Sequence, residues 1–158
     1  MLQGTLTKEG IFTLTKENEM ISLFPDFRDL KFPQNSIYTT HKTKNGNTIL
    51  NLTDDRTFLL AGKEFYFWAG CYDGYLFHIE LTPRVQNAPK WPDLEYESEK
   101  YEISTHILRE ILGDPDEKVK TWTIYRYSWG RIFSERVLDD KSPYTGGNIN
   151  IIYKNRNK

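Results

Sequence analysis

Three ionisable side chains spaced four residues apart suggest the first chemistry to consider, which is metal binding. Glu102, His106 and Glu110 fall on one stripe of a predicted helix, and carboxylates and imidazoles are common metal ligands. Metal sites, however, usually draw their ligands from several elements in a fixed geometry. An exposed acidic helix face explains the same spacing without a ligand, so we expect no metal site and no cofactor.

A cysteine and a histidine in one predicted hairpin suggest nucleophilic catalysis. Cys71 would be the nucleophile and His78 the base that activates it. A small residue at a strand end explains the cysteine equally well. The sequence contains no nucleophile elbow, paired-histidine metalloprotease motif, phosphate-binding glycine loop or dinucleotide fingerprint. We therefore expect no catalytic residues and predict that the protein is not an enzyme.

Acidic and aromatic residues are interleaved over residues 91–102, where Lys100 is the single cation. Exposed carboxylates attract basic partners, and aromatic side chains anchor protein interfaces. An acidic run that is merely solvated is the alternative. From this segment we predict partner contacts by Trp91, Asp93, Glu95, Tyr96, Glu97 and Glu99.

A second group of aromatic residues alternates along and just beyond a strand predicted at 121–128. Tyr125, Tyr127 and Trp129 share one side of it, and a two-layer domain does not bury both sides of a sheet equally. We add these three to the predicted partner-binding residues. The alternatives are a wide core, cross-strand aromatic pairing, and base stacking on single-stranded nucleic acid.

The leading hypothesis is thus a non-enzymatic protein that binds a basic protein partner. The second hypothesis is a domain that binds a small molecule or a peptide, with or without weak hydrolase activity. Its polar groups would be Cys71, His78 and Glu80. Nucleic-acid binding is disfavoured because 21 Lys and Arg face 22 Asp and Glu, whereas phosphate binding usually needs a positive surplus. The same balance disfavours a membrane surface. Oligomeric state stays open.

Composition and length predict one α+β domain over 1–158, with a frayed basic tail at 154–158. Hydrophobic residues make up 38% of the chain and aromatic residues 15%, which is too apolar for a disordered protein. A single cysteine allows no intrachain disulfide. No signal-peptide pattern opens the chain, and no apolar run approaches the ~20 residues that cross a bilayer. We therefore expect a cytoplasmic protein.

Two helices are predicted. The first covers 16–24, with Thr15 as its N-cap and Pro25 at its end. The second covers 97–112, with apolar residues on half of its circumference, and it ends at Gly113.

Strands are predicted at 11–14, 37–44, 48–52, 65–69, 75–81, 121–128, 131–138 and 148–153. Asn45-Gly46 is a strong hairpin signal because both positions tolerate positive φ. In the strand 75–81, alternation predicts that the core-facing residues are Tyr75, Phe77, Ile79 and Leu81.

This order of elements predicts an antiparallel β-sheet with one or two helices packed on one face. Each predicted helix is followed by a loop and a hairpin, so two duplicated helix-plus-hairpin units are one interpretation. Chance similarity between helix ends and hairpins is the other.

Three segments in the second half of the chain carry a resemblance. They are Ile-Leu-Gly-Asp-Pro-Asp at 111–116, Tyr-Ser-Trp-Gly-Arg-Ile at 127–132 and Gly-Gly-Asn-Ile-Asn-Ile-Ile-Tyr at 146–153. They resemble the closing half of small uncharacterised bacterial cytoplasmic proteins, which include immunity proteins of polymorphic toxin systems. The resemblance implies a protein that neutralises a toxin domain, and it carries over no functional residue.

Overall fold

A computed structural model of the protein describes residues 1–29, 35–90, 93–136 and 146–154. Within these ranges, twelve strands form one mixed sheet, accompanied by one α-helix and one 3-10 helix at Thr53–Asp55. Before the α-helix lie β1 (Leu2–Leu6), β2 (Phe12–Lys16), β3 (Glu19–Leu23), β4 (Tyr38–Lys42), β5 (Thr48–Leu52), β6 (Phe58–Leu60), β7 (Lys63–Tyr72) and β8 (Tyr75–Pro83). The helix α1 (Leu94–Leu112) is followed by β9 (Glu117–Lys118), β10 (Trp122–Tyr127), β11 (Gly130–Glu135) and β12 (Ile149–Tyr153).

The sheet runs in the order β3-β2-β1-β6-β7-β8-β12-β11-β10-β9, and β4 and β5 branch from β7. The long strand β7 allows this branch because its first residues pair with β6 and its later residues pair with β5. The β1–β6 pair is parallel, whereas the other named pairs are antiparallel. The α+β class is therefore confirmed, but the prediction of a purely antiparallel sheet is wrong.

The first predicted helix, over 16–24, is also wrong. The chain turns at Glu17, which has a φ of 53°, and returns as β3 alongside β2. Ile21 and Leu23 are buried while Met20 is exposed, so the apolar residues follow a strand period of two. A short apolar run fits both periods, and tertiary pairing decides between them. The described ranges therefore give no support to two helix-plus-hairpin units.

The predicted helix before Gly113 is confirmed, and it begins three residues earlier than expected. The side chain of Asp93 caps it by accepting a hydrogen bond from the backbone N–H of Tyr96 at 2.8 Å. Gly113 follows the last helical residue with a φ of 83°, which favours glycine. The helix packs against β8 and β11. No helix in the described ranges is both long and apolar enough to span a membrane.

The predicted inward face of β8 is wrong at the start of the strand, because a β-bulge lies there. Gly70 pairs with His78 but Cys71 pairs with Leu76, so Phe77 has no partner on β7. Because of this extra residue Leu76 is buried and Phe77 is 45% exposed. Beyond the bulge the prediction is right, since Ile79 and Leu81 are buried, while Tyr75 is only partly buried.

The sheet curls so that distant strands meet over one hydrophobic core. The ring of Phe12 in β2 stacks on Phe67 in β7, with 5.7 Å between centroids. On the other side, the hydroxyl of Tyr153 in β12 donates a hydrogen bond to the carbonyl of Gly10 at 2.7 Å. The buried cluster therefore includes residues from both ends of the chain.

Candidate functional site

Three exposed carboxylates lie at the start and along the first turns of α1. We call Asp93, Glu95 and Glu99 the acidic helix face; all three are exposed. Within the described ranges none of them has an ion-pair partner. By contrast, Oε1 of the neighbouring Glu102 lies 3.2 Å from Nη2 of Arg136. These three residues were predicted to bind a partner, and the structure leaves each of them accessible, with Glu95 and Glu99 one helical turn apart and Asp93 at the start of the helix.

Glu97 lies on the opposite side of α1, inside the protein. Its Oε2 is 3.0 Å from Nζ of Lys100, and the backbone N–H of Gly146 donates to the same oxygen at 2.8 Å. The Lys100 ammonium also lies 5.0 Å from the ring centroid of Tyr96, which is half-buried. With 4% of its surface exposed, Glu97 offers no contact surface to a partner in this structure. It instead ties the helix to the chain before β12.

The second predicted group of aromatic residues lies mostly in the core. Tyr125 is 2% exposed and its hydroxyl donates to the carbonyl of Gly113 at 2.7 Å. Burial raises the pKa of Tyr125 to about 12 and also raises that of Tyr127. The rings of Tyr127 and Trp129 are half-buried and stacked, 5.2 Å apart. Trp91, also predicted to bind a partner, lies outside the described residues.

The structure separates Cys71 from the other two polar groups of the second hypothesis. Cys71 is 3% exposed, and its burial, reinforced by the negative charge of Asp29, raises its pKa to about 12. A thiol with that pKa is protonated at neutral pH and is a poor nucleophile. His78 and Glu80 do lie together, with 4.0 Å between Nε2 and Oε2, on the outward side of β8.

The pairing register places a row of side chains on the sheet face that α1 does not cover. Trp68, Glu80, Asn150 and Phe133 lie directly opposite one another on β7, β8, β12 and β11. We call these four residues, with the neighbouring His78, the outer face. All five are half-buried, and directly opposed side chains in a sheet are about 5 Å apart at Cβ.

A chain of hydrogen bonds orders the polar groups of the outer face. The side-chain amide of Asn150 donates to the backbone carbonyl of Asn148 at 3.4 Å, which leaves the Asn150 Oδ1 as an acceptor. His78 Nε2, 2.9 Å from that oxygen, must therefore carry the proton. The amide of Asn148 in turn donates to Oε1 of Glu80 at 2.8 Å. The second carboxylate oxygen of Glu80, Oε2, accepts no hydrogen bond in the described ranges.

One acceptor next to this row lacks a hydrogen bond. Asn148 is 7% exposed, and its Oδ1 is buried without a partner in the described part of the chain. Its orientation is determined because its amide nitrogen faces a carboxylate, which only accepts. An unsatisfied buried acceptor costs about 1–3 kcal/mol. Asn148 lines a cleft of about 160 Å³ with Glu80, Phe133, Glu135, Gly146, Gly147 and Asn150.

Sequence reasoning found His78 and Glu80 but missed the rest of this site. The alternation Asn148-Ile149-Asn150-Ile151 was the available signal, because amides at every second position indicate a polar outer side of the strand.

The structure adds no support for a metal site on α1. Nε2 of His106 lies 2.9 Å from Oε1 of Glu110, one helical turn along the same helix. The described ranges hold no group of three or more His, Cys, Asp or Glu side chains arranged to bind a metal ion.

Comparison with protein-family models, curated proteins and solved structures finds no match to this chain. The resemblance to immunity proteins therefore stays a prediction.

Proposed function

We propose that the protein is a non-enzymatic binding protein that neutralises a basic partner, in the manner of an immunity or antitoxin-like inhibitor of a bacterial toxin domain. The observation that carries the proposal is the acidic helix face: three exposed carboxylates with no ion-pair partner in the described ranges. Exposed charge of one sign raises the association rate of an oppositely charged partner and selects against others.

The helix holds these carboxylates in a defined arrangement. Glu95 and Glu99 are four residues apart and therefore neighbours on the surface of α1. Asp93 is held at the helix start by its capping hydrogen bond. Tyr96 lies between them in sequence and supplies a half-buried ring that a partner can contact. A charged rim beside an aromatic anchor is a common arrangement at interfaces.

The test begins with capture of the partner by the tagged protein and its identification by mass spectrometry. The affinity of the purified pair is then measured for Glu95→Lys combined with Glu99→Lys. The matched control combines Glu9→Lys with Glu110→Lys, which makes the same charge change at exposed positions elsewhere. We expect the first variant to weaken binding at least tenfold, mainly through slower association, and the control to change it little.

Equal weakening by both double variants would mean that only net charge matters and would contradict the placement. An acidic partner, or affinity that does not fall with added salt, would contradict the electrostatic basis of the proposal.

A small-molecule or peptide-binding role is the second candidate. The cleft beside Glu80 and Asn148 favours it, because a buried acceptor without a donor is uncommon in folded proteins.

A further inference from the structure

The outer face of the sheet has acceptors that receive no hydrogen bond in the described ranges. The Glu80 Oε2 accepts no hydrogen bond in the described ranges, and the Asn148 Oδ1 is the orphaned acceptor beside it. A ligand that satisfies this site must therefore bring donors.

Charge and aromatic surface select the kind of donor. Glu80 and the exposed Glu135 contribute negative charge at the cleft. Next to Glu80, the Trp68 indole extends over Gly70, where an added Cβ would lie 3.1 Å from the ring. His78 meets that indole edge-on at 5.2 Å between centroids. A carboxylate next to an indole attracts a cation, through the ion pair and through the ring.

Arg131 provides an internal example of the same contact. Its guanidinium lies 5.2 Å from the centroid of Phe133 and makes no ion pair within the described ranges. Arg131 thus occupies the Phe133 end of the row and adds a positive charge there. Glu80 lines the same cleft from the β8 side, and Trp68 lies directly opposite Glu80 on the side away from Phe133.

The size of the cleft favours a single side chain over a whole small molecule as its occupant. Its volume of about 160 Å³ lies well below the roughly 300–1,000 Å³ of sites that enclose small molecules. An arginine side chain is long and narrow, and its planar guanidinium can donate to two acceptors at once, which an ammonium does less well.

We propose that Glu80 and Asn148, which line this cleft, bind one arginine side chain of a protein partner, with the Trp68 indole next to Glu80 as its aromatic neighbour. This site rests on the proposed function only in that the partner is a basic protein, and it is independent of the acidic helix face. The arginine would stack beside the Trp68 indole and donate to Glu80 and Asn148.

The test uses the full chain and three short peptides that are identical except for one central residue: arginine, lysine or neutral citrulline. Binding is followed by the NMR signals of the Asn148 and Asn150 side-chain amides and of the Trp68 indole N–H. We expect the arginine peptide to shift these signals and to bind at least tenfold more tightly than the citrulline peptide. The Glu80→Gln variant should lose at least tenfold in affinity, and the distant Glu110→Gln variant should lose none.

A second variant, Trp68→Leu, protects the test against a folding defect in Glu80→Gln, because it removes the ring without touching the hydrogen-bond chain. Equal binding of the citrulline peptide, shifts confined to other residues, or preferential binding of a neutral sugar would overturn the proposal. So would free arginine binding as tightly as the peptide, since the ligand would then not be a protein. Failure here, together with weakened partner binding by the acidic-helix variant, would leave the proposed function standing.

Discussion

Nζ of Lys100 lies 3.0 Å from Oε2 of Glu97 one helical turn earlier, and the two residues are only 3% and 4% exposed. Burying both charges costs desolvation energy that their attraction largely offsets, so the pair by itself is weak evidence for stability. The pair matters because it fixes the position of another part of the chain. The same carboxylate oxygen accepts from the N–H of Gly146, so the pair fixes where the chain crosses the helix before β12.

Removing either charge should be more harmful than removing both. Glu97→Gln or Lys100→Met leaves an uncompensated buried charge, and each should lower the free energy of unfolding by about 3–5 kcal/mol. The double variant should lower the free energy of unfolding by less than either single variant. Urea unfolding of the four proteins measures the coupling. Additive costs would mean that the two charges do not stabilise each other.

Gly147 should not tolerate a side chain. An added Cβ would lie 2.7 Å from both the Cβ of Lys100 and the backbone nitrogen of Tyr101, and the φ of Gly147 is 81°. Gly46 has the same φ but nothing within 4 Å of its Cβ position, so Gly46→Ala is the matched control. Gly46→Ala should cost about 1 kcal/mol of unfolding free energy from backbone strain. Gly147→Ala should cost at least about 2 kcal/mol more, from the clash with α1. Similar midpoints in urea would show that the helix shifts freely at this crossing.

Trp129 should matter more to stability than the exposed Trp122. The Trp129 indole stacks on Tyr127, donates to the carbonyl of Lys8 at 2.8 Å, and covers Gly10, whose added Cβ would lie 2.6 Å from the ring. Trp129→Ala should cost about 2–3 kcal/mol, somewhat less than truncating a fully buried ring. Trp122 is 36% exposed, so Trp122→Ala should lower the free energy of unfolding by less than about 1 kcal/mol. Thermal unfolding of both variants measures the difference, and equal losses would contradict the contribution of these Trp129 contacts to stability.

Buried tyrosines should make the protein less stable in alkali. The pKa of Tyr125 is raised to about 12 by burial, while an unfolded tyrosine titrates near pH 10. The unfolded chain therefore loses its proton first. The contribution of Tyr125 is fully present below about pH 10 and is lost as the pH rises towards about 12. Burial also raises the pKa of Tyr153, which adds to the same trend.

The Tyr125→Phe variant tests this prediction. At pH 7 it should cost about 1 kcal/mol, because the hydrogen bond to the Gly113 carbonyl is lost. Between pH 10 and pH 12 its unfolding free energy should fall less steeply than that of the unmodified protein. Parallel pH profiles in urea titrations would show that Tyr125 is not responsible for the alkaline loss.

Elements with strong local signals were predictable from sequence. The helix α1 has a capping aspartate, an apolar half and Gly113 after its last residue, and the hairpin β4–β5 has Asn45-Gly46 at its turn. Each signal lies within a few residues of the structure it specifies. The 16–24 segment lacked such a signal, because three apolar residues in a short run fit a helix as well as a strand.

The outer face could not be predicted from the sequence, because it depends on residues far apart in the chain. His78 and Asn150 are separated by more than seventy positions, and they meet because β8 and β12 pair in a particular register. The bulge at Phe77 also shifts the register between β7 and β8, and a slip of one residue turns every side chain to the other face. No pattern within either strand alone specifies that partner or that register.

The glutamates of α1 show where local sequence stops and packing begins. At about 100° per residue, Glu97 points roughly 200° away from both Glu95 and Glu99, so the helix period alone places it on the opposite side. Which side faces water was decided by the sheet beneath α1 and by the close approach of Gly147, through contacts between residues far apart in the chain. Backbone periodicity is a local property, whereas burial is a property of the whole fold, and the fold buried one glutamate and left its two neighbours exposed.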